Sequence, residues 1–253
     1  MAAVLCVPYH LDDHHPDLNA PLPPGFDELS VNLPDGDVWT RLAHLYEAVA
    51  VAVWQTEPPP VVVSGDCMHS IAISAGLQRA GIDPAIVWFD AHGDVQTLET
   101  TTSGYLGGMA LRLLLGYRPE LVAERLGLRP LAERRAMLVD ARDLDPPEES
   151  YLVSSDVRRS SIAELSADDL PNGRLILHVD LDVVDPEDLP GLRYPAPGGP
   201  SPDSVLSAAR TVMSTGRVAA LHIACCWHAG GADPTGVRAR LIWSLVEDFR
   251  LLS

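Results

Sequence analysis

Two kinds of apolar segment alternate along the chain, and that alternation constrains the fold more than any other feature. Short β-branched runs, AVLCV (3–7), PVVVSG (60–65), AIVWFD (85–90), AMLVD (136–140), LILHVDLD (175–182) and VAALHIACC (218–226), have the length and continuous hydrophobicity of strands buried on both faces. Between them, DVWTRLAHLYEAVAVAVW (37–54), SIAISAGLQRAG (70–81), GGMALRLLLG (107–116), SPDSVLSAARTVMSTG (201–216) and PTGVRARLIWSLVEDF (234–249) carry helical spacing, several with a Ser or Asp start and a Gly stop. Strand and helix in alternation predict an α/β fold, a mostly parallel sheet with helices on both faces. No repeat or low-complexity linker interrupts the pattern, so a single domain is expected over residues 1–253. The Pro-rich stretch 16–35 and the Pro/Gly-rich segment 186–202 read as long loops of the kind that border a site.

Charge and cysteine usage narrow the function. The chain of 253 residues has 18 Lys+Arg against 35 Asp+Glu, a formal net charge of −17, which repels a phosphate backbone and argues against nucleic-acid binding. No apolar run approaches the roughly 20 residues of a membrane helix, and no signal-type segment opens the chain, so a cytoplasmic protein with no membrane partner is expected. Cys6, Cys67, Cys225 and Cys226 have a spacing that suits neither a disulfide framework nor a CxxC zinc site, which leaves free thiols or individual ligands.

In a parallel α/β sheet, ligands gather at the carboxyl ends of the strands. One strand here ends in Asp90-Ala91-His92-Gly93-Asp94, another in His178-Val179-Asp180-Leu181-Asp182. Alternation puts Asp180 and Asp182 on one face, and Asp90, His92 and Asp94 project together as long as the chain stays extended. Lone aspartates mostly cap helices or bind turns. Two acid-rich motifs of period two, each closing a hydrophobic strand, point instead to a divalent metal pair, because no Lys or Arg within either motif offsets the charge. A third strand end, Asp66-Cys67-Met68-His69-Ser70, offers a thiolate and an imidazole at a strand-to-helix turn.

These residues resemble the arginase and agmatinase family of binuclear manganese ureohydrolases. DAHGD (90–94) matches its DAHxD motif, VDLDVVDP (179–186) its (S/D)xDxDxxDP motif, SGDCMHS (64–70) stands where the family has GGDHS, and ARDLDPPEE (141–149) is similar to arginase RDVDPGE. The resemblance runs from about Val61 to the C-terminus and is most specific over DAHGDVQTLETTTSGYLGG (90–108). It implies a three-layer α/β/α sandwich and two Mn2+ ions. Asp90 and Asp180 are the implied bridges, Asp94 a ligand of one ion, and His92 and Asp182 ligands of the other. It also implies attack of hydroxide on a guanidinium carbon, the cations having lowered the pKa of water, with release of urea and an amine. Gln96 and Ser103 stand where arginase contacts the substrate α-carboxylate. Asp145 and Glu148 stand where it holds the α-amino group, with stabilisation of its own turn as the alternative reading for Asp145.

Three departures bear on function. Cys67 occupies a metal-ligating His position, as in relatives that hydrolyse Nω-hydroxy-arginine to hydroxyurea and ornithine, and weak occupancy of the Cys67-side ion is expected. His69, two residues further along a helix, points about 200° away and does not simply substitute. Gly107 stands at the proton-shuttle His of the arginase SGNLHG loop, so proton transfer must use solvent or another residue, with His222 and His228 as the candidate replacements. Cys225 aligns with the Glu that pairs with the substrate guanidinium. His178 reads either as a hydrogen-bond partner to a metal carboxylate or as a core histidine. His10, His14 and His15 read as a solvated loop, and Trp88 and Phe89 as core. The leading expectation is a hydrolase of a small-molecule arginine-like guanidino or N-hydroxyguanidino amino acid, assembled as a homo-oligomer. The alternative is a divergent member with little activity that binds metal or a small ligand.

Overall fold

The computed structural model describes residues 3–252 apart from 17, 19, 23, 57, 58, 226, 229–232 and 234. In chain order its elements are β1 (Val4–Val7), β2 (Tyr9–His10), β3 (Asp13–His14), β4 (Phe26–Glu28), α1 (Val38–Gln55), β5 (Val61–Ser64), α2 (His69–Arg79), β6 (Ala85–Asp90), α3 (Ala110–Leu114), β7 (Ala136–Asp140), α4 (Pro146–Ser154), β8 (Arg158–Ser160), β9 (Leu175–Asp180), α5 (Pro202–Met213), β10 (Val218–Ala224) and α6 (Val237–Leu252). Eight strands form one sheet in the order β4-β1-β5-β10-β9-β6-β7-β8. Every pairing in it is parallel, which goes beyond the mostly parallel sheet expected.

Each central strand sends alternate residues to opposite layers. Val62, Ile86, Trp88, Leu138 and Ile176 pack against α1, α2 and α3, whereas Val63, Val87, Phe89, Leu177 and Ile223 pack against α5 and α6. The helices supply matching apolar stripes, as in α1, where Leu42, Leu45, Tyr46, Val49 and Val53 are buried at helical spacing. Asp37 caps α1 by accepting from the Thr40 amide at 3.0 Å, and Ser201 caps α5 ahead of Pro202. No helix among the described residues is long and apolar enough to cross a membrane.

The differences from sequence expectation have local causes. β9 stops at Asp180, and residues Leu181–Val183 form a 3-10 turn in which the Asp182 amide donates to Asp180 Oδ1 at 2.9 Å. The stretch 107–116 divides into a 3-10 turn, Gly107–Met109, and the short α3. β4 falls inside the stretch read as a loop and β8 was not anticipated, because both are short, largely exposed edge strands without an apolar pattern. α4 also escapes periodicity, since Glu148 and Leu152 are its buried residues.

Candidate metal centre and substrate cleft

Three strand ends converge at the carboxyl edge of the sheet. After β5, Asp66 shapes the turn into α2 by accepting from the Leu11 amide at 2.6 Å and the Met68 amide at 2.8 Å. That turn brings Cys67 Sγ within 2.7 Å of Asp180 Oδ2 and 3.8 Å of Asp90 Oδ2. At the end of β6, Asp90 Oδ2 accepts from Trp88 Nε1 at 2.9 Å and Oδ1 from the His92 amide at 2.8 Å. Asp182 Oδ1 accepts from the Ala91 amide at 3.3 Å, joining the two motifs. The acids therefore do not project together from extended strands, as alternation suggested. Each chain turns immediately after Asp90 or Asp180, and the first aspartate's own carboxylate holds the turn that returns the later residues to the site. Asp94 completes its turn in the left-handed region at φ +52°, a conformation Asp tolerates better than most side chains.

The charge arrangement suits cations. Among the described residues, Cys67, Asp90 and His178 bring one ligand atom each within 4.8 Å of one another, as do Asp90, His92 and Asp182. The two groups share Asp90. His92 Nδ1 lies 3.3 Å from Asp90 Oδ1 and 3.1 Å from Asp182 Oδ2, so a proton sits where a cation would gather the same donors. Burial alone would lower the His92 pKa, but hydrogen bonds to Asp182 and Asp90 outweigh it and push it up to about 12. Burial, followed by repulsion from Asp90, raises Asp182 to about 6 and Asp94 well above the usual carboxylate range. Asp94 Oδ2 is buried without a hydrogen-bond partner. An oxygen-rich donor set with an orphaned carboxylate atom fits divalent metal ions.

Above this floor lies a cleft of about 220 Å³. Cys67, Asp90, His92, Asp94, Asp180 and Asp182 line its base, and Gln96, Ser103, Asp145 and Glu148 stand at its wall. Gln96 Nε2 donates to Asp145 Oδ2 at 2.8 Å while its Oε1 accepts from Thr100 Oγ1 at 2.7 Å, which fixes the amide. Glu148 accepts from the Asp145 amide at 3.1 Å and the Val95 amide at 3.2 Å, so it closes the N-terminus of α4 as well as facing the cleft. The glycine of DAHGD is explained here: a Cβ at Gly93 would stand 2.8 Å from both Glu148 Oε1 and Leu144 Cδ2. Tyr105 and Tyr194, with ring centroids 4.7 Å apart, form an aromatic wall that His10 extends by stacking on Tyr105 at 5.6 Å.

The three residues expected to act in catalysis lie outside this lining. Cys225 follows Ala224, whose side chain shares the face of Asp180, and therefore packs into the opposite layer with α5 and α6. Burial, then Cys6, pushes its thiol well above the usual range. His222 is buried within the sheet, its Nε2 2.8 Å from Ser64 Oγ and its Nδ1 2.8 Å from His178 Nδ1. Burial holds His178 at about 3 and His222 well below the ordinary imidazole range, so both rings are neutral. His228 is exposed, and its amide donates to Gly191 C=O at 3.2 Å. His69 packs edge-on to Tyr46 at 5.2 Å, away from the cleft. Cys226 lies outside the described residues.

Sequence reading missed Tyr105, Tyr194 and Arg142. Arg142 pairs with Asp140 and donates to the Val183 carbonyl at 3.0 Å and the Ala196 carbonyl at 2.6 Å, tying the 181–197 loop to β7. Trp88, read as core, is core by its ring and also an Asp90 partner, which its position two residues earlier on the same strand signals.

The model of the Arginase family matches residues 24–245. The chain is 35% identical over 157 residues to an arginase of Bacillus subtilis, covering 55% of this chain and 52% of that protein. It is 31% identical over 201 residues to an N(omega)-hydroxy-L-arginine amidinohydrolase of Streptomyces lavendulae, covering 78% and 70%. The chain thus spans about half the length of the first of these relatives. The crystal structure of arginase from Bacillus cereus superposes with a TM-score of 0.81 over 98% of this chain and 97% of that one, at 22% identity.

Proposed function

Because the chain belongs to the arginase family, we propose that it hydrolyses a C–N bond of a linear amidine on an arginine-like amino acid, giving urea or hydroxyurea and an amine. The observation that carries this reading is the pair of ligand groups sharing Asp90 at the floor of a cleft whose wall carries Gln96, Ser103, Asp145 and Glu148. Cys67, Asp90, Asp94 and Asp180 would hold one divalent ion, Mn2+ in this reading, and Asp90, His92, Asp180 and Asp182 the other. When bound, such a pair lowers the pKa of water and polarises the amidine carbon.

The chain's own residues do the rest. Gln96 and Ser103 orient the α-carboxylate, and Asp145 and Glu148 the α-amino group. Tyr105 and Tyr194 offer π-faces to a planar cationic head group. With Cys225 turned to the opposite layer, no carboxylate stands at that position to pair with a full guanidinium charge. An N-hydroxyguanidino group, made less basic by its electron-withdrawing hydroxyl, tolerates that loss better. Gly107, His222 and His228 offer no shuttle at the cleft, so protons exchange with solvent through its mouth. The chain works as a homo-oligomer in the cytoplasm, without nucleic acid or membrane.

The test is release of urea or hydroxyurea from a panel of guanidino and N-hydroxyguanidino amino acids with added manganese. Turnover of the N-hydroxy compound above that of arginine is the expected result. The placement of Cys225, His222 and His228 favours a second reading, a member that binds metal or a small ligand without turnover. Metal binding with no product across the whole panel would establish that reading and reject the first.

A further inference from the structure

Cys67 stands at a position where the family motif carries a metal-binding imidazole, yet an unclaimed imidazole lies within reach. His178 is fully buried, and its Nε2 has no hydrogen-bond partner. It forms a candidate ligand group with Cys67 and Asp90, one donor atom from each of the three residues lying within 4.8 Å of the others. Donors about 2.2 Å from a common ion stand up to about 4.5 Å apart, so small side-chain adjustments bring this set onto one cation.

The hydrogen-bond chain behind His178 decides which nitrogen is available. Ser64 Oγ donates to the Asp66 carbonyl at 3.0 Å, so its oxygen accepts from His222 Nε2–H at 2.8 Å. That leaves His222 Nδ1 as an acceptor, and the 2.8 Å contact between the two Nδ1 atoms then requires His178 Nδ1 to carry the hydrogen. His178 Nε2 consequently holds a lone pair. A ligating histidine ordinarily donates its other N–H to a fixed partner, and here His222 is that partner. The chain also gives Ser64 and His222 a purpose that the cleft does not require of them.

We propose that His178 supplies from β9 the imidazole that Cys67 no longer supplies from the β5 turn, so that Cys67, Asp90 and His178 hold one ion. The motif (S/D)xDxDxxDP, aligned on Asp180, Asp182, Asp185 and Pro186, puts His178 at its Ser/Asp position. The loss of the imidazole at 67 and its presence at 178 then belong together, the imidazole donor lying on β9 instead of in the β5 turn, beside the same ligand group. The assignment rests on the metal-centre reading above and adds a ligand to it.

The test is cobalt loading of the wild-type protein and of His178→Gln, followed by metal analysis and absorption spectroscopy. Wild type is expected to bind two Co2+ per chain with a thiolate-to-cobalt charge-transfer band. His178→Gln is expected to lose that band and bind its second ion at least about 100-fold more weakly, the first ion being retained. A measurement without substitution guards against misfolding: proton NMR of 15N-histidine-labelled cobalt protein should show two hyperfine-shifted imidazole N–H signals, from His92 and His178. One signal, or unchanged stoichiometry and spectrum in His178→Gln, overturns the assignment and leaves the proposed function standing. Absence of any cobalt in wild type removes both.

Discussion

The Tyr105 ring occupies the space into which any side chain at Gly107 would project. The two positions are therefore coupled: any side chain at 107 requires the Tyr105 ring to shift from its present place. Gly107→His alone is expected to destabilise the protein by about 1–3 kcal/mol through overpacking. Combining it with Tyr105→Asn should recover most of that loss, a coupling above about 1 kcal/mol in a double-mutant cycle followed by urea denaturation. Additive effects would show that the ring moves aside at no cost.

Asp90 belongs to both ligand groups and Asp182 to one. Asp90→Asn should therefore weaken both ions by more than about 100-fold, and Asp182→Asn only the ion on the His92 side. Metal content after gel filtration distinguishes them. Equal losses in the two variants would contradict a shared Asp90.

Metal binding should release protons. His92, pushed up to about 12 by Asp182 and Asp90 against the effect of burial, is protonated at neutral pH in the metal-free protein and must lose its proton to ligate. Asp94, raised by burial and by Asp90, adds to the release. Apparent affinity should accordingly rise about tenfold per pH unit for each proton released between pH 6 and 8. Calorimetry in buffers of different ionisation enthalpy measures that number, and a pH-independent affinity would refute the charge arrangement.

Cys6 and Cys225 should resist alkylation. Burial, with Glu28 beside it, pushes the Cys6 thiol up to about 12, and burial raises Cys225 in the same direction. Since the thiolate is the nucleophile, both remain unreactive toward iodoacetamide at pH 8 until urea unfolds the chain. Peptide mapping reads this directly, and rapid native labelling of either would place it nearer solvent than the fold allows.

Arg142 holds the loop behind the site through Asp140 and the carbonyls of Val183 and Ala196. Arg142→Leu strands those acceptors and a largely buried carboxylate, at a cost of about 3 kcal/mol. The urea midpoint should fall, and bound metal should loosen with it because Asp182 sits in the released loop. An unchanged midpoint would mean that the loop is held by other contacts.

Much of this molecule is determined by sequence alone, because burial imposes periodicity. Strands covered on both faces must be continuously apolar, helices on a sheet must carry a stripe, and the runs at 60–65, 85–90 and 136–140 therefore mark β5, β6 and β7 closely. The acids of DAHGD and VDLDVVDP are legible for the opposite reason, since charge at the end of a buried strand has no packing explanation. Exposed edge strands and the N-terminus of α4 leave no such trace, because solvent accepts many sequences there. Tertiary structure alone decides which residues of neighbouring strands face one another. Period two dictates that Ala224 and Cys225 point to opposite sides, but only the pairing of Ala224 with Asp180 assigns Cys225 to the layer away from the cleft. The same register sets His222 beside His178, 44 residues apart, and turns two histidines that local sequence leaves ambiguous into a single hydrogen-bonded unit beneath the carboxylates. Strand pairing is a long-range choice made by the packing of the whole sheet, and no segment read by itself contains it.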